Sequence, residues 1–378
     1  MTVASSGLPL DLQAAWLCRV LASGRVSEGG SLTPDVLQRA RIERVHLLLA
    51  HLAAEGGAST GVPPDAAAAL AQELRIAAVL DAARTRELSR VLGALEAAAC
   101  GPLVFKGAAL AHTHYGRPWL RPRVDTDILV SALDRERAAQ VFRELGYTRP
   151  ALVSGRLVMY QEMFVRSEAG GLEHVFDLHW RVANPQVVSN VASYEDLRAG
   201  AVEVAAPPAR LRVPCPADAL VLACVHRAAH HHDAQDLLWL YDIHLLAKGL
   251  SPRAWDAFVA RAEAGAVATL CARGLALAGA RFGTDVPTVV TTALAASTRD
   301  EPSAVFLRGD LRPIDVLLSD LGALGARDRV RLVREVLAPP RSFMRETYGE
   351  RAWLPWAYVR RVLGGAVKWV RRGKQTLP

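Results

Sequence analysis

Cysteine is sparse: five residues in 378, an odd count, with no Cys-x-x-Cys spacing. This argues against a disulfide framework or a thiolate zinc site and makes a reducing cytoplasm the expected compartment. The N-terminus lacks a basic start followed by an apolar run. Asp11, Arg19 and Arg25 fall where a secretory leader would be uncharged, so no signal peptide is expected. No stretch long enough to cross a bilayer is both apolar and free of charge, so no spanning helix is expected. There is no internal repeat, and no low-complexity segment beyond an alanine bias. Charge of one sign is not extreme either. Lys and Arg total 45 against 38 Asp and Glu, a net +7. That balance favours polyanionic partners such as nucleotides, nucleic acid or membrane headgroups, but over this length it does not by itself establish nucleic-acid binding.

The chain is long enough for two or three domains or lobes. Residues 8–100 carry helical spacing. Leu10, Leu12, Ala15, Trp16, Val20 and Leu21 recur near a 3.6-residue period, as do Leu37, Ile42, Val45, Leu48, Leu49 and Leu52. A Gly/Ser/Pro-rich break at Gly56–Pro64 precedes a long Ala-rich helical stretch, Asp65–Cys100, with Asp65 as its expected N-cap. At Gly101 the pattern changes. Leu103-Val104-Phe105 predicts a buried strand, Ala108–Tyr115 a short helix, Asp125–Val130 a strand and Asp134–Leu145 a helix. Leu157–Arg166 and His174–Val182 predict a hairpin turning at Gly170-Gly171. From Pro185 onward helical patterning returns, clearest at Asp218–Ala229, Leu237–Lys248 and Arg253–Phe282. The expectation is an α+β protein: an N-terminal helical region over 1–100, a small mixed-sheet core over 101–184 and a C-terminal helical region over 185–378.

The chemistry concentrates in that core. Asp125 and Asp127 stand two apart on a predicted strand, so both carboxylates project from one face. Carboxylates this close repel unless a cation intervenes, and Mg²⁺ is typically held by one or two carboxylates together with substrate phosphates. Further on, Asp177, His179 and Arg181 alternate with Phe176, Leu178 and Trp180, giving one ionisable and one apolar face. If the two strands are neighbours, the faces combine. Upstream, Phe105-Lys106-Gly107-Ala108 ends a strand and opens a helix, whose first N–H groups suit an anion. Gly107 would let a triphosphate come close, and Lys106, Arg117, Arg121 and Arg123 are candidate counter-charges. His179 reads equally as a phosphate contact or a structural hydrogen-bonder, and Arg181 as a contact or as a partner that orients Asp177.

These segments, in this order, resemble the polymerase-β-like nucleotidyltransferase superfamily. Lys106-Gly107-Ala108 and the run Arg121 to Val130 are most similar to its bacterial "uncharacterised nucleotidyltransferase" branch. Val175-Phe176-Asp177-Leu178-His179-Trp180 resembles the third motif, while His226, His230, Trp239 and Asp242 match positions on the following helices. The resemblance runs from Leu103 to Lys248, with a weaker echo at Phe343–Arg361. It implies catalysis by two Mg²⁺ ions, with Mn²⁺ as substitute, held by Asp125, Asp127 and Asp177. It implies a nucleoside triphosphate substrate bound by Lys106, Gly107, Ala108, Arg121, Arg123, His179, Arg181, His226, His230 and Asp242. The implied acceptor is a hydroxyl on a small molecule or peptide. RNA or protein acceptors stay open, and nucleic acid is not favoured. Ala108 departs from the serine usual in the wider superfamily.

Three other readings compete. His226 and His230, one helical turn apart, could be zinc ligands, but no His-Glu-x-x-His is present. An Asp-x-Asp glycosyltransferase would need α/β structure before the motif, where helix is expected. A degenerate enzyme would keep the pocket and bind nucleotide without turnover. Finally, Trp353–Arg372 is basic and amphipathic. Arg360, Arg361, Lys368, Arg371, Arg372 and Lys374 with Trp353, Trp356 and Trp369 suit a membrane surface, RNA or simple docking on the domain.

Overall fold

In the computed structural model, residues 12–26, 32–56, 64–150, 155–297 and 301–370 are described, with side chains described as far as residue 364. Leu10, most of the Gly56–Pro64 break, and the side chains of Lys368, Trp369, Arg371, Arg372 and Lys374 lie outside the described residues.

The N-terminal region is helical: α1 (Leu12–Ser23), α2 (Pro34–Ile42), α3 (His46–Gly56) and the long α4 (Pro64–Ala97). Thr33 starts α2 by accepting the Val36 N–H, and proline sits in the first turn, where its missing N–H costs nothing. Asp65 lies inside the first turn of α4 rather than before it. No strand precedes residue 103 among the described residues, so the α/β region a glycosyltransferase would need before its motif is not found there.

The core follows as β1 (Leu103–Phe105), α5 (Lys106–Thr113), β2 (Thr126–Leu129), α6 (Arg135–Glu144), β3 (Gln161–Ser167) and β4 (Glu173–His179). The four strands make one mixed sheet in the order β1-β2-β4-β3. β1 pairs antiparallel with β2, β2 parallel with β4, and β4 antiparallel with β3 in the hairpin that turns at Gly170-Gly171. Period-two alternation gives the sheet two different faces. Val104, Ile128, Phe164, Phe176 and Leu178 fill the back, against Leu88, Val91, Leu92 and Leu95 of α4 and Phe142 of α6. Phe142 stacks on Phe164 at 4.6 Å between ring centroids.

The remaining elements are α7 (Tyr194–Ala199), β5 (Val202–Ala206), β6 (Ala209–Val213), α8 (Pro216–Val225), α9 (Leu237–Lys248), α10 (Pro252–Ala264), α11 (Ala268–Phe282), α12 (Thr288–Ser297), α13 (Pro313–Gly322), α14 (Ala326–Leu337), α15 (Arg341–Tyr348) and α16 (Leu354–Val370). Two of these correct the expectation of uninterrupted helical patterning. β5 and β6 form an antiparallel hairpin, because Ala209, Leu211 and Val213 turn inward while Arg210 and Arg212 turn outward. The stretch Arg253–Phe282 is two helices, because the chain breaks at Gly265 and Ala266, where Ala266 takes a left-handed φ of 50°.

Leu103, Phe105 and Leu129 on the front of the sheet join α8 to α11 in one apolar core. Residues of α1 to α3 share a second core with Leu237, Leu238 and Leu240 of α9 and with Leu277 and Phe282 of α11. The helix α9 is therefore buried on both sides, and it locks the N-terminal helices to the front of the sheet. No helix among the described residues is long and apolar enough to cross a membrane.

Candidate active site

The front of the sheet opens into a cavity of about 1160 Å³. Asp127 on β2 is the Cα partner of Asp177 on β4, so the two carboxylates stand side by side on one face. His179 is two residues further along β4 on that face. Ligand atoms of Asp127, Asp177 and His179 all lie within 4.8 Å of one another. Asp125 immediately precedes β2 rather than lying in it. It lines the same cavity but falls outside this tightest trio.

Lys106 binds this cluster. Its Nζ donates to Asp127 Oδ1 at 2.8 Å, and His179 Nε2 lies 2.9 Å from the same oxygen. Lys106 holds a left-handed φ of 51°, an uncommon conformation for a residue with a Cβ. The strained turn is where β1 becomes α5, and it carries the ammonium over the sheet.

The electrostatics divide the acids. Burial would raise the Asp127 carboxyl, but Lys106 and His179 overcome it and hold the group well below the usual carboxylate range. Asp177 goes the other way. Burial first, then the charges of Asp127 and Asp125, push it up to about 7. Asp125 is raised by burial and by Asp127. Gln161 Nε2 donates to Asp177 Oδ2 at 2.9 Å, and Asn184 Nδ2 donates to Gln161 Oε1 at 3.1 Å. This supporting relay was not foreseen. Gln161 opens β3 on the same face as Met163, the register partner of Asp177, so strand alternation was the available signal.

The basic residues expected at phosphate are mostly engaged with carboxylates. Arg121 makes a bidentate pair with Asp242, Nε to Oδ1 at 2.9 Å and Nη2 to Oδ2 at 2.6 Å, and Tyr115 Oη donates to the same carboxylate at 2.7 Å. Arg123 Nη2 reaches Asp81 on α4 at 2.5 Å. Both arginines are buried by these partners, yet each still forms part of the cavity wall, as does Asp242. Arg181 does not line the cavity. It stacks over Tyr160 at 4.4 Å and donates to Ser189 and Asn190, so Gln161 rather than Arg181 bonds to Asp177.

Gly107 lines the cavity, but the demand for glycine comes from inside the protein. A Cβ there would stand 2.5 Å from Arg121 Nη1. Ala108 is buried in the apolar layer with Val104 and Ile128, and its methyl is not part of the cavity wall.

The histidines form a wall opposite. The last turn after α8, His226–His230, is widened to a π-turn, and such turns often mark functional sites. His226 and His230 stack at 5.3 Å, and His226 Nε2 lies 3.0 Å from His231 Nε2. His231 stacks on Trp239 at 3.8 Å, and the Arg44 guanidinium lies over the Trp239 ring at 4.2 Å. Burial, with Lys106 next, keeps His226 and His230 neutral, His230 down to about 3. Buried ring atoms His226 Nδ1 and His230 Nε2 have no hydrogen-bond partner. Among the described residues these histidines do not converge with a third ligand as a metal site would require; Asp127, Asp177 and His179 do.

A family model described as "uncharacterised nucleotidyltransferase" matches residues 32–283, which runs from α2 through the sheet to the end of α11. No curated protein matches the chain.

Proposed function

Because the chain belongs to the uncharacterised nucleotidyltransferase family, we propose that this cavity transfers a nucleoside monophosphate from a nucleoside triphosphate to a hydroxyl acceptor. The observation that carries the reading is the register of β2 on β4, which sets Asp127 beside Asp177 on the cavity face. The three carboxylates of Asp125, Asp127 and Asp177 outnumber the one ammonium of Lys106, an excess of negative charge that suits a divalent cation. Mg²⁺, or Mn²⁺ in its place, would be held by Asp127 and Asp177 with Asp125 alongside. When bound, it would offset phosphate charge and lower the pKa of the attacking hydroxyl.

The chain's own groups supply the rest. N–H groups at the start of α5, together with Lys106, receive phosphate oxygens. His226 and His230 offer neutral imidazoles with unpaired ring nitrogens toward the nucleotide. Arg121 and Asp242 act as positioning residues. Their pair ties the segment before β2 to α9, and Gly107 leaves room for it. Gln161 orients Asp177, which takes the proton of the acceptor hydroxyl or holds the cation. The acceptor oxygen bonds to the α-phosphorus as the bond from that phosphorus to the pyrophosphate oxygen breaks. Ala108 removes no group from the cavity wall, so its departure from serine does not by itself argue for a degenerate enzyme.

The test is incubation with labelled ATP, CTP, GTP and UTP, Mg²⁺ and a panel of small-molecule, peptide and RNA acceptors. The expected result is label transfer by the wild type and its loss in Asp127→Asn. Equal transfer by both proteins, or tight nucleotide binding with no transfer to any acceptor, would overturn the reading.

A further inference from the structure

The cavity is larger and more apolar than a nucleotide needs. Pockets for single drug-sized ligands run to roughly 1,000 Å³ at the top of their range, and this one holds about 1160 Å³ in one continuous space. Beyond the carboxylates and histidines, its wall is built from Val204 and Val213 of the β5–β6 hairpin, Leu222 of α8, Val316 of α13, and Leu332 and Val336 of α14.

The α13–α14 part of this wall is anchored on the Asp177 side of the site, whereas the β5–β6 hairpin packs against β1 and α5. Glu335 of α14 accepts the N–H groups of Arg156, Leu157 and Val158 at 3.0, 2.8 and 3.1 Å. Asp320 of α13 accepts the Val187 N–H at 3.1 Å. The segments so held run directly into Gln161 and Asn184, the two residues that brace Asp177. Lys106 and the start of α5, by contrast, belong to the phosphate side. An acceptor entering along the α13–α14 wall would meet Asp177 with its body against aliphatic side chains.

We infer that this arm of the cavity is the acceptor site and takes a small amphipathic alcohol, a hydroxyl group carried on an extended aliphatic or aromatic body. The inference rests on the nucleotidyl-transfer reading for its chemistry, but the binding it requires can be measured without nucleotide. The hydroxyl end sits at Asp177 and the apolar body lies along Val316 of α13 and Leu332 and Val336 of α14. A sugar or an RNA 3′ end has too little apolar surface to replace the water that this wall excludes.

The test uses the full chain and a neutral fluorescent alcohol, 1-pyrenebutanol, titrated without nucleotide and followed by its emission. Saturable binding is expected. Val336→Trp and Val316→Gln, each checked for an unchanged melting temperature, should weaken it by about tenfold, the loss of roughly 1.4 kcal/mol. Absence of saturable binding, or affinity unchanged by both wall variants, would overturn the inference. So would complete displacement of the probe by saturating ATP and Mg²⁺, which would make the arm part of the nucleotide's own site. Because these outcomes are read from binding, they separate from the transfer assay. In that assay, long-chain alcohols should accept label at least tenfold better than glycerol of equal concentration, and the reverse order would equally overturn the acceptor assignment.

Discussion

Asp127 and Asp177 stand directly opposite each other in the parallel pairing of β2 with β4, although fifty positions of chain, including a helix and a hairpin strand, separate them. Their environments differ sharply. Lys106 and His179 keep Asp127 ionised, whereas burial and neighbouring charge push Asp177 up to about 7. One acid is thereby a fixed anion and the other responds to what binds beside it.

Replacing either acid by its amide should abolish transfer while leaving the fold intact. Asp127→Asn and Asp177→Asn are each expected to lower kcat by at least about 100-fold, the usual scale for losing a group that stabilises developing charge. Circular dichroism should show unchanged helix content. A variant with near wild-type kcat would remove that acid from the machinery.

The pair between Arg121 and Asp242 should behave as a structural element. Both side chains are buried, so removing one leaves the other's charge uncompensated. Asp242→Ala is expected to cost about 3–5 kcal/mol in unfolding free energy. Arg121→Lys should recover little, because an ammonium cannot reproduce the bidentate geometry. Chemical denaturation measures both. A loss below ~1 kcal/mol would mark the pair as an ordinary surface-like salt bridge.

Gly107 and Arg121 should be energetically coupled. Gly107→Ala puts a methyl against the guanidinium, with an expected cost of about 1–3 kcal/mol for overpacking. In an Arg121→Met background that cost should shrink. A double-mutant cycle with no coupling would show that the glycine answers to something else, such as an approaching phosphate.

Asp320 should give the protein a stability that falls as pH rises. Burial lifts its carboxyl to about 7 from an ordinary value of 3.8. Between those values the folded state holds a proton that the unfolded chain has released, so unfolding free energy declines from pH 4 to pH 7. Asp320→Asn keeps an acceptor for the Val187 N–H and removes the titration. It should melt with the wild type at pH 4 and above it at pH 8. Parallel melting profiles across that range would contradict this.

Glu87 should act in the opposite sense. Burial would raise its carboxyl, but hydrogen bonds from Arg90, Tyr147 and Arg166 hold it down to about 2. Its contribution is present above the ordinary value of 4.5 and is lost as pH falls toward 2. Glu87→Gln should therefore melt lower than the wild type at pH 7, and the gap should close progressively below pH 4.5. A gap of constant size would assign the effect to packing.

Much of the core is legible in the sequence. β1 falls on Leu103–Phe105 as its flanking Gly-Pro and Lys-Gly indicated, α9 on Leu237–Lys248, and the hairpin turns at its two glycines. The β5–β6 hairpin was missed because its strands are short and sit within an alanine-rich region, although the alternation of Leu211 and Val213 with arginines was present. The carboxylate partners of Arg121 and Arg123 were not legible for a different reason. Nothing local distinguishes an arginine that meets phosphate from one that meets Asp81 or Asp242, because those partners lie 42 and 121 positions away.

Sequence alone settled which side chains share a strand face, since a strand's period of two is a property of the backbone and needs no partner. It therefore put Asp177 with His179 on β4; Asp125 was expected to share a strand face with Asp127, but it immediately precedes β2. Only the tertiary structure decided that the Asp127 and Asp177 faces meet in register, that Lys106 bonds to Asp127, and that an apolar wall stands beside Asp177. Each of these depends on contacts between distant segments, whose closure is fixed by the packing of the whole sheet between its helical layers.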